Sequence, residues 1–138
     1  AILVATKDDA AHIEEKLDEF NSSMINFTQN KADVFLNYSV KNSNGDLVGG
    51  INANVYGWKC LFINQIWIKD EYRKIGYGSI LLNTVENEAK AMGGYLSILD
   101  TFDFQAKDFY LKYGYQIYAE LDNYPPGHKS FSMKKSLK

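Results

Sequence analysis

The chain of 138 residues contains one cysteine, Cys60, which excludes an internal disulfide and any cysteine-based zinc site. Its two histidines, His12 and His128, lie too far apart to share a ligand spacing, so no metal is expected. Two prolines and ten glycines rule out a collagen-like or linker-rich chain. Basic residues number 15 against 17 acidic ones, a net charge of −2, and the basic excess of a nucleic-acid binder is missing. No apolar run approaches the roughly 18 residues of a membrane span, and Ile2–Ala5 is too short for a secretory signal. What remains is 46% hydrophobic and 23% charged, the composition of an ordinary globular chain able to close one core unaided. The expectation is a single domain over residues 1–138, cytoplasmic, with no metal, membrane or nucleic-acid partner.

Periodicity sets the order of elements. Ile2–Thr6 reads as a short first strand, and Asp8 and Asp9 offer capping and first-turn carboxylates to a helix carrying Ile13, Leu17 and Phe20 on one face. Residues 21–31 read as a polar, irregular loop. Val34–Lys41 and Leu47–Tyr56 alternate with period two around the turn residues Asn42–Asp46, and Cys60–Ile68 is nearly continuously apolar, as in a strand buried on both faces. Ile75–Met92 is helical, with Gly78, Leu82, Val85 and Ala89 on one face and Glu86, Glu88 and Lys90 on the other; Gly93 and Gly94 stop it. A strand at Tyr95–Leu99, a short helix at Gln105–Tyr113, and closing strands at Tyr115–Leu121 and Ser130–Lys135 complete the order β-α-β-β-β-α-β-α-β-β. This is an α/β layered domain with a mixed sheet.

One segment carries chemistry. Ile66-Trp67-Ile68 ends a strand; Lys69–Ile75 forms a loop containing Arg73 and Lys74; Gly76-Tyr77-Gly78-Ser79 opens the long helix. Glycines let backbone amides approach a ligand, and a helix start adds unpaired donors and about half a positive charge. The arrangement suits a pyrophosphate. Two glycines taken alone favour the plainer reading, that they allow close helix–sheet packing. The six-position dinucleotide fingerprint is absent, and no Gly-Lys-Ser/Thr follows to make a P-loop.

Arg73-Lys74-Ile75-Gly76-Tyr77-Gly78 resembles the Arg/Gln-x-x-Gly-x-Gly/Ala signature of the GNAT superfamily of acyl-CoA-dependent N-acetyltransferases. Downstream, Ala106-Lys107-Asp108-Phe109-Tyr110-Leu111-Lys112-Tyr113-Gly114-Tyr115 is similar to that family's Ala-x-x-Phe-Tyr-x-x-x-Gly-Phe/Tyr element, at the expected distance. The resemblance covers nearly the whole chain outside residues 20–31. It implies the GNAT fold, a mixed but mostly antiparallel sheet of about six or seven strands flanked by helices, with acetyl-CoA as co-substrate. Ile66, Trp67 and Ile68 would pair through their main chain with the pantetheine arm, and the loop Arg73, Lys74, Ile75, Gly76, Tyr77, Gly78 and Ser79 would bind the pyrophosphate. Tyr110 would be the general acid for the departing thiolate. The family is rich in homodimers, and the sequence leaves that question open here.

The harder proton sits on the acceptor. An alkylamine with pKa near 10.4 is neutral at pH 7 about once in 2,500 molecules, a cost of roughly 4.6 kcal/mol. The strand Cys60–Ile68 has no carboxylate where the histone-acetylating branch has its glutamate, and Phe62 falls near that place. Asp100, Asp103 and His128 are the remaining candidates for the base. Asp103 serves equally as an N-cap for the helix that follows. Trp58, Trp67, Tyr56, Phe27, Phe102 and Tyr124, with Asp100 and Asp103 nearby, suit a small cationic amine. Two alternatives stand beside this reading: a non-catalytic acyl-CoA-binding module, and an acetyltransferase acting on protein N-termini or lysines. Cys60 reads as a structural thiol.

Overall fold

The period-two stretches do form a meander. In the computed structural model, which describes residues 1–28 and 33–138, β1 (Val34–Lys41), β2 (Leu47–Tyr56) and β3 (Cys60–Ile68) pair antiparallel in sequence order. The β1–β2 turn is fixed by Asn42, whose Oδ1 accepts from the amides of Asn44 and Asp46 at 2.9 and 3.0 Å. After a 3-10 turn at Asp70–Tyr72, α2 (Tyr77–Ala91) crosses back to β4 (Leu96–Phe102), which joins β3 in parallel. Then α3 (Lys107–Lys112), β5 (Gln116–Asp122) and β6 (Lys129–Ser136) complete a six-stranded sheet in the order β1-β2-β3-β4-β6-β5. The layered α/β expectation with a mostly antiparallel sheet is met.

Side-chain alternation divides the sheet into two unlike faces. Leu36, Ile51, Ala53, Val55, Leu61 and Ile63 point to one side, where Leu81, Leu82, Val85 and Ala89 of α2 bury against them together with Tyr110 and Tyr115. Each Leu, Ile or Val among them contributes about 1.5–3 kcal/mol when removed from water. The other side carries Asn37, Asn52, Asn54 and Asn64 and has no helix over it among the described residues.

Four expectations need correction. Ile2–Thr6 forms no strand: Ile2, Leu3 and Val4 are nearly fully exposed, because no described strand lies beside them to accept their hydrogen bonds. The first helix, α1 (Lys7–Met24), begins with a reciprocal cap in which Thr6 Oγ1 accepts from Asp9 N and Asp9 Oδ2 from Thr6 N, and it runs four residues into the segment read as loop. The rest of that segment is irregular through residue 28, and residues 29–32 lie outside the described residues. β3 is not buried throughout: Cys60–Ile63 are covered but Trp67 is 48% exposed, since β3 leaves β4 after Phe62. Glu86 does not face water; it is 3% exposed, accepting from Tyr115 Oη and Lys135 Nζ, each at 2.8 Å. A helix-face count cannot see that β6 brings a lysine to that position. Elsewhere the differences are shifts of one to three residues at element ends.

Candidate active site

β3 and β4 are in register over three pairs only, Cys60↔Leu96, Leu61↔Ser97 and Phe62↔Ile98. Beyond Phe62 the strands part, so among the described residues no strand lies on the β4 side of Ile66, Trp67 and Ile68, where Ile68 O accepts from Arg73 Nε at 2.8 Å, while their other edge stays bonded to β2. An extended ligand arm can complete that edge.

The loop after β3 leads straight to a helix start. Gly76 is the residue before α2, with φ +101°, a conformation that L side chains rarely adopt. No side chain caps the helix, and no acidic residue lies in its first turn, so the amides of Tyr77, Gly78 and Ser79 point outward with the positive end of the helix dipole. The two glycines act differently. A Cβ at Gly76 would meet nothing within 4 Å, so backbone conformation is what requires glycine there. A Cβ at Gly78 would sit 3.2 Å from the Phe109 ring, so that glycine serves the packing of α3 on α2. Both readings of the motif therefore apply, one to each glycine. Arg73 is turned back on its own loop, with Nε donating to Ile68 O at 2.8 Å and NH1 paired with Asp70 at 2.8 Å. It shapes the loop, which leaves Lys74, held at φ +63°, as the cation beside the glycines. Ile75 is 64% exposed.

Tyr110 lies on α3, buried to 4% exposure, its ring edge-on to Phe109 and Tyr115. Its hydroxyl makes no hydrogen bond among the described residues. Burial pushes its pKa up to about 12, so the hydroxyl holds its proton at any physiological pH. Tyr115, one face away, is satisfied by Ser97 and Glu86, and burial with the Glu86 charge drives its pKa up as well.

Asp103 does not cap α3; the residue before that helix is Ala106, with no side-chain cap. The Asp103 carboxylate instead meets His128 Nδ1 at 2.9 Å and accepts from Lys129 N at 2.9 Å, while its own amide donates to Lys129 O. Desolvation would raise its pKa, but the hydrogen bonds from His128 and the Lys129 amide outweigh that and hold it below the usual carboxylate range. With Nδ1 committed, His128 presents Nε2. Beside the pair, the Phe104 ring is edge-on to the His128 ring, and Phe102 contacts both Phe104 and Tyr124. Asp100 shares with Ile98 and Phe102 the sheet face that carries Phe62, and accepts from Ser132 Oγ at 2.6 Å.

On that same face lies an open trough of about 680 Å³ lined by Asn37, Asn52, Asn54, Asn64, Gln65 and Asp33 with Phe35, Tyr56 and Phe62. Its amides are cross-linked: Asn52 donates to Gln65, Asn64 to Asn54, and Asn54 to Asp33, at 2.8–3.1 Å. Sequence reading missed this row. Its signal was present in the asparagines alternating with the core residues of β2. The predicted aromatics do not form one pocket: Phe27 packs tilted against Trp58 at the β2–β3 turn, Phe102 contacts Tyr124, whose amide donates to His128 O, Tyr56 lines the trough, and Trp67 stands on the open stretch of β3.

The family model described as "Acetyltransferase (GNAT) family" matches residues 4–115. The chain belongs to the GNAT acetyltransferase family. A Blasticidin-S acetyltransferase of Streptomyces morookaense is 36% identical over 94 residues, 67% of this chain and 68% of that one. A crystal structure of an acetyltransferase from Bacillus cereus ATCC 14579 superposes with TM-score 0.89 at 32% identity, covering 99% of this chain and 96% of the other. An aminoglycoside 6'-N-acetyltransferase complexed with coenzyme A shares the fold at TM-score 0.66 and 19% identity, over 96% of this chain and 82% of that one. This GNAT chain is therefore an acetyltransferase, and no helix among its described residues is long and apolar enough to cross a membrane.

Proposed function

We propose that this GNAT enzyme transfers the acetyl group of acetyl-CoA to the primary amine of a small, cationic, hydrogen-bonding molecule, by direct attack with both substrates bound. The observation that carries the reading is the parting of β3 from β4 beside the uncapped N-terminus of α2. The main chain of Ile66, Trp67 and Ile68 would take the pantetheine arm as an added strand, and the amides of Gly76, Tyr77, Gly78 and Ser79 with Lys74 would take the pyrophosphate. Arg73 would hold the loop in shape from its contacts with Ile68 and Asp70, and Ile75 would supply main chain only.

Tyr110 would donate to the sulfur as it departs. A hydroxyl near pKa 12 facing a thiolate whose acid has pKa near 8.5 keeps its proton, full transfer being uphill by about 4.8 kcal/mol. Its part is a hydrogen bond that strengthens as sulfur gains charge. His128, oriented by Asp103, would take the amine proton through Nε2, with Asp103 as a positioning residue. Aromatic rings beside the pair suit an ammonium group before it loses that proton. The amide-lined trough would hold the remainder of the acceptor, and similarity to the Blasticidin-S acetyltransferase supports a small-molecule acceptor.

Calorimetric titration of acetyl-CoA into the protein and into Gly76→Glu tests the cofactor half; one-to-one binding abolished by the glutamate is expected. Thiol release from acetyl-CoA with blasticidin S, an aminoglycoside and spermidine tests the acceptor half. Release by none of these in a protein that binds acetyl-CoA would overturn the acceptor class.

A further inference from the structure

The N-terminal arm is the part of the molecule that packing leaves unexplained. α1 buries no residue, and Ile13, Leu17, Phe20 and Met24, spaced to form one stripe, are each 59–70% exposed. Ile2, Leu3 and Val4 precede them at 83–102% exposure. Apolar surface of this extent on a folded chain marks a contact surface.

The arm is not loosely attached. At its root Trp58 Nε1 donates to Asn26 O at 3.1 Å, and the Phe27 ring packs tilted against Trp58 with centroids 5.2 Å apart. That anchor fixes the chain to the β2–β3 turn, while α1 before it buries none of its residues. The surfaces that would receive it are equally uncovered. β1 is an edge strand, open on one side among the described residues. The sheet face opposite α2 carries Phe35 at 68% exposure beside Tyr56 and Phe62.

From this we infer that the arm docks on a second copy of the chain: Ile2–Thr6 of one protomer extends the sheet of the other at β1, and α1 lies over that copy's trough. One chain holds both the exposed N-terminal segment with the apolar stripe of α1 and the open edge with its bare face. A two-fold exchange satisfies both at once and closes without leaving a free arm. The Bacillus cereus structure superposes over 99% of this chain, the arm included. Docked in this way, α1 roofs the trough of the partner and brings Glu14, Glu15, Asp18 and Glu19 near it, carboxylates suited to a cationic acceptor. This last step rests on the acceptor site proposed above; the exchange itself does not.

Sedimentation equilibrium of the full chain from about 1 to 100 µM, with hydrogen exchange on the same samples, tests the inference. The expected result is a species of twice the 15.7 kDa chain mass, with protected amides in residues 2–6 and in α1. The double variant Leu17→Asp, Phe20→Asp should be monomeric, with α1 unprotected and the sheet amides still protected, which shows that it folds. Val4→Pro, which cannot pair along a strand edge, should weaken the dimer about tenfold. A wild-type monomer overturns the inference, whether α1 is protected by folding back on its own sheet or not protected at all. A dimer indifferent to all these substitutions overturns it too. In the monomeric variant the KM for the amine should rise about tenfold with acetyl-CoA affinity unchanged. Dissociation without that rise keeps the exchange and overturns the placement of α1 over the acceptor site.

Discussion

α1 and α2 are both amphipathic helices of more than three turns, and the sequence marks an apolar stripe on each. α2 buries Leu81, Leu82, Val85 and Ala89 against three strands, whereas α1 buries nothing in its own protomer. The stripe says that a face is built to be covered. It does not say by which surface, because that depends on where the chain leads the helix after its last turn.

The sharpest test of this contrast is a pair of truncations. Leu82→Ala, at a site with no exposure, should cost about 2–5 kcal/mol in chemical denaturation, whereas Leu17→Ala measured on dilute protein should change stability by less than about 0.5 kcal/mol. If the two were equal, α1 would pack in cis.

The two buried tyrosines sharpen it next. Tyr110→Phe removes a hydroxyl with no described partner, so it should leave the unfolding midpoint almost unchanged while kcat falls about a hundredfold with acetyl-CoA affinity intact. Tyr115→Phe removes a hydroxyl bonded to Ser97 and Glu86 and should cost about 1–3 kcal/mol of stability, with little effect on kcat. A large stability loss in the first variant would make Tyr110 a packing residue.

A third pair separates the glycines. Gly76→Ala forces a side chain to φ +101° at a cost of about 1–2 kcal/mol, and should weaken acetyl-CoA binding by moving the amides after it. Gly78→Ala presses on the Phe109 ring beside Tyr110 and should lower kcat about threefold without changing cofactor affinity.

The smallest effect is on pH. Tyr110 has its pKa raised by burial from 10 to about 12, so the neutral form belongs to the fold. Stability from this group is complete below pH 10 and is lost as pH rises toward 12, at about 1.4 kcal/mol per unit, because the unfolded chain ionises first. Alkaline unfolding should therefore shift upward in Tyr110→Phe, and no alkaline limb in kcat should appear below about pH 10 from this residue.

The cofactor half of the candidate site was legible in the chain because it is local. Ile66–Ser79 is one continuous run, and strand, loop, glycine and helix start follow from residues adjacent in sequence. The acceptor half was not. Asp103 and His128 are 25 residues apart and meet because β4 and β6 pair, which turned a candidate helix cap into the partner of an imidazole. Glu86 was placed on a wet face for the same reason: the lysine that pairs with it comes from β6, 49 residues away. The row of asparagines was visible as alternation along β2, but only the register with β1 and β3 makes it one surface.

By itself the sequence determined the identity and order of nearly all the elements, the glycine-dependent helix start and the family, since these depend on periodicity and on contiguous motifs. Tertiary structure alone decided where β3 leaves β4, which carboxylate meets the histidine, and that the first apolar segment has no strand beside it among the described residues. Those outcomes depend on which distant residues become neighbours, and on whether a hydrogen-bonding edge or an apolar face finds its complement within the same chain.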